Sequence, residues 1–254
     1  MSDINKEALY DYLLLLGDNS MILGQRLGEL CGHGPELETD IALTNISLDL
    51  FGQVRNYFQY AAEVVADGRT EDDIAMLRKE HEYKSSLLVE QPNTDFAYVI
   101  VRQNFFDHYH YMLLSKLVDS KDEQIVAVAK KSIKEVEYHL DFSSTWVKRL
   151  GDGTEESRQR MQDAVNELYR FTRELFKPTE TEERMANLGI GADLPSMEED
   201  YYKQLHALLE EATLEVPQGE VFQYGGKEGR HSEYMGYILT DFQFMQRAYP
   251  NMKW

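Results

Sequence analysis

The distribution of proline constrains this chain more than any other feature of its sequence. Only six prolines occur in 254 residues, at positions 35, 92, 178, 195, 217 and 250, where helices would be expected to begin or end. The intervals between the first three are rich in Leu, Ala, Glu, Lys and Gln, which favour helix. No segment shows the period-two alternation of a strand. The pattern therefore predicts an all-α chain built from long helices.

Glycine and capping residues set the predicted helix bounds. Four long helices are predicted at 6–30, 38–66, 94–118 and 123–150, with Asn93 or Thr94 capping the third. A short charged helix is predicted at 71–89, a fifth long helix at 154–176, and C-terminal helices at 198–213 and 232–248. Because long helices with tight connections pack as bundles, we predict a single helical domain over residues 1–254.

Charge and cysteine content limit the classes of partner. Lys and Arg total 26 against 45 Asp and Glu, a formal net charge of -19. Such a surface repels a polyphosphate backbone, and no basic patch is segregated, so we expect no nucleic-acid partner. The single cysteine, Cys31, indicates a reducing compartment. The N-terminus lacks a basic region, and Leu13–Leu16 is too short to span a bilayer. We therefore predict a cytoplasmic protein with no membrane association.

Polar residues on the predicted inner faces suggest the remains of a di-metal site. Di-iron bundles take a Glu from each of two helices and a Glu-x-x-His pair from each of the other two. The predicted third helix offers Asp107 and His110, spaced i,i+3. The fourth offers Glu135 and His139, spaced i,i+4. Both spacings place a carboxylate and an imidazole on one helix face.

The first and second helices lack the matching ligands. Where a Glu-x-x-His should stand, the second helix has Asp49, Gly52 and Gln53. Glycine has no side chain, and an amide is a poor ligand for iron. The first helix contributes Glu29 beside Gln25. The sequence thus predicts a metal site that has been partly lost.

Two interpretations of these residues compete. One is a working metal site, formed by Glu29, Asp49, Asp107, His110, Glu135 and His139. The other is a buried polar cluster in which the same groups and Gln53 pair with neighbouring amides and with Arg26 and Arg55. Because the second helix carries no histidine, we favour the polar cluster and expect neither a metal nor catalytic residues in this chain.

Two other sequence features give weaker indications of a ligand site. Arg78, Lys79 and Lys84 concentrate positive charge on the predicted short helix, either as an ordinary solvated face or as an attraction for a phosphorylated ligand. The glycine-rich run 225–229 lacks a Walker pattern and a preceding strand. We therefore predict a mobile turn there.

Residues 10–249 resemble the C subunits of bacterial ring-1,2-phenylacetyl-CoA epoxidases. Long blocks in one order carry the resemblance, including LLVEQPN (87–93), KEVEYHLDF (134–142), and residues 16–56, 161–176 and 225–250. The resemblance implies a ferritin-like four-helix bundle with additional helices. It also implies a non-catalytic, structural subunit of the phenylacetate degradation monooxygenase, which holds a catalytic, di-iron A subunit in a heterodimer. A small B subunit and an NADPH-dependent reductase would be further partners.

The resemblance further implies contact with the coenzyme A part of the substrate. The positions concerned are Glu82, Tyr83, Lys84 and Ser85 in one segment and Glu183, Arg184 and Met185 in another. Two alternatives stay open: an independent di-metal oxidase or metal-storage protein that uses Asp107, His110, Glu135 and His139, and a simple acyl-CoA-binding module. The sequence also leaves open a homo-oligomer of the isolated chain.

Overall fold

The computed structural model describes residues 3–250 and 252, and every regular element within them is helical. In chain order the α-helices are α1 (Asp3–Glu29), α2 (Leu37–Val65), α3 (Glu71–Met76), α4 (Leu87–Glu90), α5 (Phe96–Leu117), α6 (Glu123–Gly151), α7 (Glu155–Leu168), α8 (Glu180–Asn187), α9 (Glu198–Glu211) and α10 (Glu233–Ala248). The four long helices α1, α2, α5 and α6 begin and end close to the predicted bounds. The all-α prediction is confirmed.

The long helices pack as two antiparallel hairpins, α1–α2 and α5–α6. Tyr60 on α2 contacts Asp122, the N-cap of α6, and Asp49 on α2 contacts His139 on α6. Residue numbers therefore rise along α2 as they fall along α6. α2 and α6 are therefore antiparallel, and α2 and α5 are parallel. α5 is buried on almost every face, which is typical of a helix at the centre of a large core.

The connection from α2 to α5 must return along the whole length of the bundle because these helices are parallel. α2 is about 43 Å long, whereas a helix over the predicted range 71–89 would span only about 28 Å. That predicted helix is wrong. The chain instead forms α3, a single 3-10 turn at Glu80–Glu82 and α4, joined by extended residues. Arg78 also turns inward at this break to reach Asp18 on α1.

Side-chain caps fix where the second hairpin begins. Asp95, not Asn93 or Thr94, caps α5 by accepting a hydrogen bond from the amide of Tyr98 (3.0 Å). Asn93 instead donates to the carbonyl of Arg26 on α1. The predicted N-cap of α5 was therefore wrong by one or two residues. The Asn93 side chain connects the crossover to α1 and does not cap the helix.

In the C-terminal third, α7 and α9 pack against the α5–α6 hairpin, whereas α8 and α10 pack against α1. The predicted fifth helix, 154–176, is an α-helix only to Leu168 and continues as 3-10 turns to Phe176. α8 was not predicted, whereas α9 and α10 lie close to their predicted ranges. Within the described residues, none of the helices combines the length and apolar character needed to cross a bilayer.

Candidate functional site

The predicted polar cluster lies where α2, α5 and α6 face one another. His139 Nε2 on α6 lies 3.0 Å from Asp49 Oδ2 on α2. The imidazole is fully buried, whereas the Asp49 side chain is 37% exposed at the edge of the α2–α6 groove. This contact links the two hairpins.

Asp107 on α5 forms a second link across the helices. Its carboxylate accepts hydrogen bonds from Gln103 Nε2 (2.7 Å) and Ser143 Oγ (2.8 Å). Burial raises the pKa of Asp107 to about 6, although nearby His139 and these hydrogen bonds limit the rise. Burial, aided by the proximity of His139, lowers the pKa of His110 to about 3. His110 is therefore neutral at neutral pH.

Several buried polar atoms in this region lack a hydrogen-bond partner within the described chain. They are both amide atoms of Gln53, Tyr57 Oη, Ser132 Oγ, and the Nδ1 atoms of His110 and His139. Buried groups of this kind are normally paired, often with internal water. The bundle centre is consequently polar and incompletely paired by its own side chains.

The residues present do not fit a di-iron centre. Among residues 3–250 and 252, no three His, Cys, Asp or Glu side chains lie close enough to share a metal ion. Both oxygens of Asp107 already accept hydrogen bonds. Glu135 is only half-buried, and burial together with the neighbouring Asp49 carboxylate raises its pKa. Asp49 and Glu135 thus stand at the edge of the cluster and not at its centre.

Glu29 lies apart from the cluster, contrary to its predicted place in it. It pairs with Arg26 one turn earlier on α1 (2.9 Å), and Arg26 also donates to the carbonyl of Glu90. Arg55 is exposed, so it does not neutralise a buried carboxylate as predicted. The 3.6-residue period puts these two positions near the boundary of their helix faces, where sequence alone does not fix the direction of a side chain.

The predicted basic cluster is not a continuous patch. Arg78 is buried and donates to both carboxylate oxygens of Asp18 on α1. Lys79 is exposed and Lys84 half-buried. Because Arg78 serves an internal ion pair, only the two lysines remain available to a ligand.

The residues predicted to contact coenzyme A fall into a buried group and an exposed group. Tyr83, Ser85 and Met185 are fully buried. Their side chains therefore cannot reach a ligand on this surface. Glu82, Glu183 and Arg184 are exposed.

A cavity of about 270 Å³ joins Lys84 to the start of α8. Its charged lining residues are Asp11, Lys84, Glu180, Lys227 and Glu228. Lys227 is already paired with buried Glu182 (2.9 Å). Glu228 is likewise paired with Arg230. Among the described residues, Asp11 and Glu180 therefore face a single unpaired cation, Lys84.

Sequence reasoning missed the buried charges that hold the C-terminal segment. Glu174 accepts hydrogen bonds from the amides of Gly225 (2.6 Å), Gly226 (2.8 Å) and Leu87 (2.7 Å). Glu90 accepts one from His231 Nδ1 (2.6 Å). The predicted mobile turn at 225–229 is thus fixed to the core. The glycines of this turn are the sequence signal that could have indicated its close packing. An added Cβ on Gly226 would lie 2.3 Å from the Ser85 carbonyl oxygen.

Comparison with known proteins agrees with this architecture. The family model described as "Phenylacetic acid catabolic protein" matches residues 1–254. The chain is 47% identical over 243 residues to the Escherichia coli (strain K12) protein named as the C subunit of 1,2-phenylacetyl-CoA epoxidase, covering 96% of this chain and 98% of that protein. Since both matches extend over nearly the whole sequence, this chain belongs to the phenylacetic acid catabolic protein family.

Proposed function

We propose that this chain is the structural, non-catalytic C subunit of a phenylacetyl-CoA epoxidase, in which it stabilises a di-iron A subunit. The observation that carries the proposal is the pairing at the bundle centre. Asp107 is held by Gln103 and Ser143, and His139 contacts Asp49 (3.0 Å). These contacts join helices that iron would otherwise cross-link.

The same contacts explain how the bundle persists without a metal. A buried carboxylate is costly unless it is hydrogen-bonded or paired. Asp107 gains two hydrogen bonds, and with a pKa of about 6 part of its population is protonated near neutral pH. The electrostatic cost of burying this carboxyl group is thereby lowered. Oxygen activation in the complex would then depend on the iron of the partner.

The surface near Lys84 supports a partner-dependent role in substrate binding. Coenzyme A carries several phosphate charges, whereas the cavity beside Lys84 is lined by the carboxylates of Asp11 and Glu180, which are unpaired in the part of the chain that the structure describes. Free carboxylates repel phosphate. We therefore propose that Glu82, Lys84, Glu183 and Arg184 contact the coenzyme only together with cations of the A subunit. An independent acyl-CoA-binding module is less consistent with this lining.

Co-expression with the A subunit, B subunit and reductase of the same epoxidase tests the proposal. We expect the chain to copurify with the A subunit, and metal analysis of the separated chains to find iron in the A subunit alone. The independent di-metal oxidase makes the opposite prediction. Near-stoichiometric iron in this chain, lost in Asp107→Ala or His139→Ala, would overturn the proposed role.

A further inference from the structure

The outward face of α2, with the adjoining flank of α6, is unusually apolar for the surface of an acidic chain. Leu37, Ile41 and Leu48 are 71%, 51% and 62% exposed. Their spacing places them on one stripe of α2, opposite the buried Leu43 and Leu50. Large exposed apolar patches on soluble proteins mark interaction sites more often than isolated apolar residues do.

Tyr138 extends this stripe on α6. It is half-exposed and precedes His139, which contacts Asp49 on α2. The two helices are antiparallel, so their exposed sides form one shallow surface. From Leu37 to Gly52 the stripe runs for about 23 Å along α2.

Gly52 gives this surface a feature that the isolated fold does not require. It is exposed in the interior of α2, its backbone is helical, and an added Cβ would meet nothing within 4 Å. Glycine destabilises a helix interior relative to alanine. A helix of a partner that approaches the backbone closely would explain a glycine at this position.

The charges around the stripe indicate a partner different from a second copy. Lys131 and Lys134 on α6 are exposed and form no salt bridge within the described residues. They are complementary to carboxylates on an opposing surface. Two copies that each carry a net charge of -19 would repel one another.

We propose that the α2–α6 face, centred on Leu48 and Gly52, is the docking surface for a long-helix bundle of the same oxygenase. The partner's helices lie along α2 and α6, approach most closely at Gly52 and set carboxylates against Lys131 and Lys134. This inference rests on the proposed function, because it takes the A subunit as the partner.

Substitution at Gly52 separates docking from folding. Gly52→Ala should raise the Tm of the isolated chain by about 2–4 °C, since helix propensity improves in open space. Gly52→Leu should also fold, with unchanged helicity by circular dichroism, but bind the A subunit at least tenfold more weakly by biolayer interferometry. Leu48→Glu should weaken binding by a similar factor. A matched control is Val221→Glu, at an apolar residue that is 76% exposed outside this face.

The outcomes distinguish this inference from the function on which it rests. Wild-type affinity in Gly52→Leu and in folded Leu48→Glu would overturn the docking face while the heterodimer, and with it the proposed function, stands. Equal weakening by Val221→Glu would also overturn it. A wild-type chain that forms no complex with the A subunit would refute both proposals.

Discussion

The buried pair formed by His231 and Glu90 allows a quantitative test of how the C-terminal segment is held. His231 Nδ1 lies 2.6 Å from Glu90 Oε1, and Nε2 lies 3.0 Å from the carbonyl oxygen of Tyr83. Both partners accept hydrogen bonds, so both ring nitrogens donate and the imidazole is positively charged. Burial by itself lowers the pKa of His231, but the hydrogen bond and charge of Glu90 outweigh it and raise the pKa.

The sign of the pH dependence follows from that shift. The folded pKa of His231 lies above its unfolded value of about 6.5. The stabilisation is therefore fully present below about pH 6.5 and is lost as pH rises through the folded pKa. Breaking a buried ion pair costs about 3–5 kcal/mol. His231→Gln retains one donor, so we expect a loss of about 3 kcal/mol at pH 6.

Urea unfolding from pH 6 to pH 9 measures this effect as the difference in free energy of unfolding between wild type and His231→Gln. We expect the difference to shrink as pH rises. The matched variant His33→Gln changes an exposed histidine and should differ little from wild type at any pH. A difference that stays constant or grows with pH would show that His231 is neutral, and would refute the reasoning.

Three further perturbations test other parts of the core. Burial raises the pKa of Asp107 to about 6, so its stabilisation is present below the unfolded value and is lost as pH rises through 6. Asp107→Asn should therefore gain roughly 2–3 kcal/mol relative to wild type between pH 4 and pH 7.5 in urea titrations. Gly226→Ala should lower the Tm by several degrees in calorimetry, because the Cβ would lie 2.3 Å from the Ser85 carbonyl oxygen. Arg78→Met should cost about 3–5 kcal/mol in urea unfolding, because Asp18 would remain buried and charged without its partner.

The long helices could be predicted because their signals are local. Proline positions and helix propensity set the bounds of α2 and α6, and the 3.6-residue period placed Asp107 and His139 on the inner faces, where the structure has them. The contacts of these residues could not be predicted to the same degree. Asp107 is held by Ser143, a small residue 36 positions away that carries no metal-ligand signal.

The predictions for the crossover and for the C-terminal segment were wrong for a different reason. Their conformation depends on ion pairs between residues distant in sequence, such as Arg78 with Asp18 and Glu90 with His231. The helix propensity of residues 71–89 is a weaker effect than the buried pair of Arg78 with Asp18 and the need for the crossover to span the length of the bundle. The glycine-rich turn was likewise interpreted as mobile, because nothing local shows that Glu174 binds its amides.

The bundle centre and the proposed docking face are physically connected through Asp49. Its carboxylate contacts buried His139 on one side and is partly open to solvent on the α2–α6 face on the other. Solvent at the exposed side weakens the hydrogen bond, since an electrostatic interaction falls as the local dielectric rises. A partner bundle that covers this face would exclude that solvent and strengthen the link between α2 and α6. Docking at Gly52 would thus stabilise the contact between Asp49 and His139, so the assembled protein should hold its polar core more firmly than the free chain.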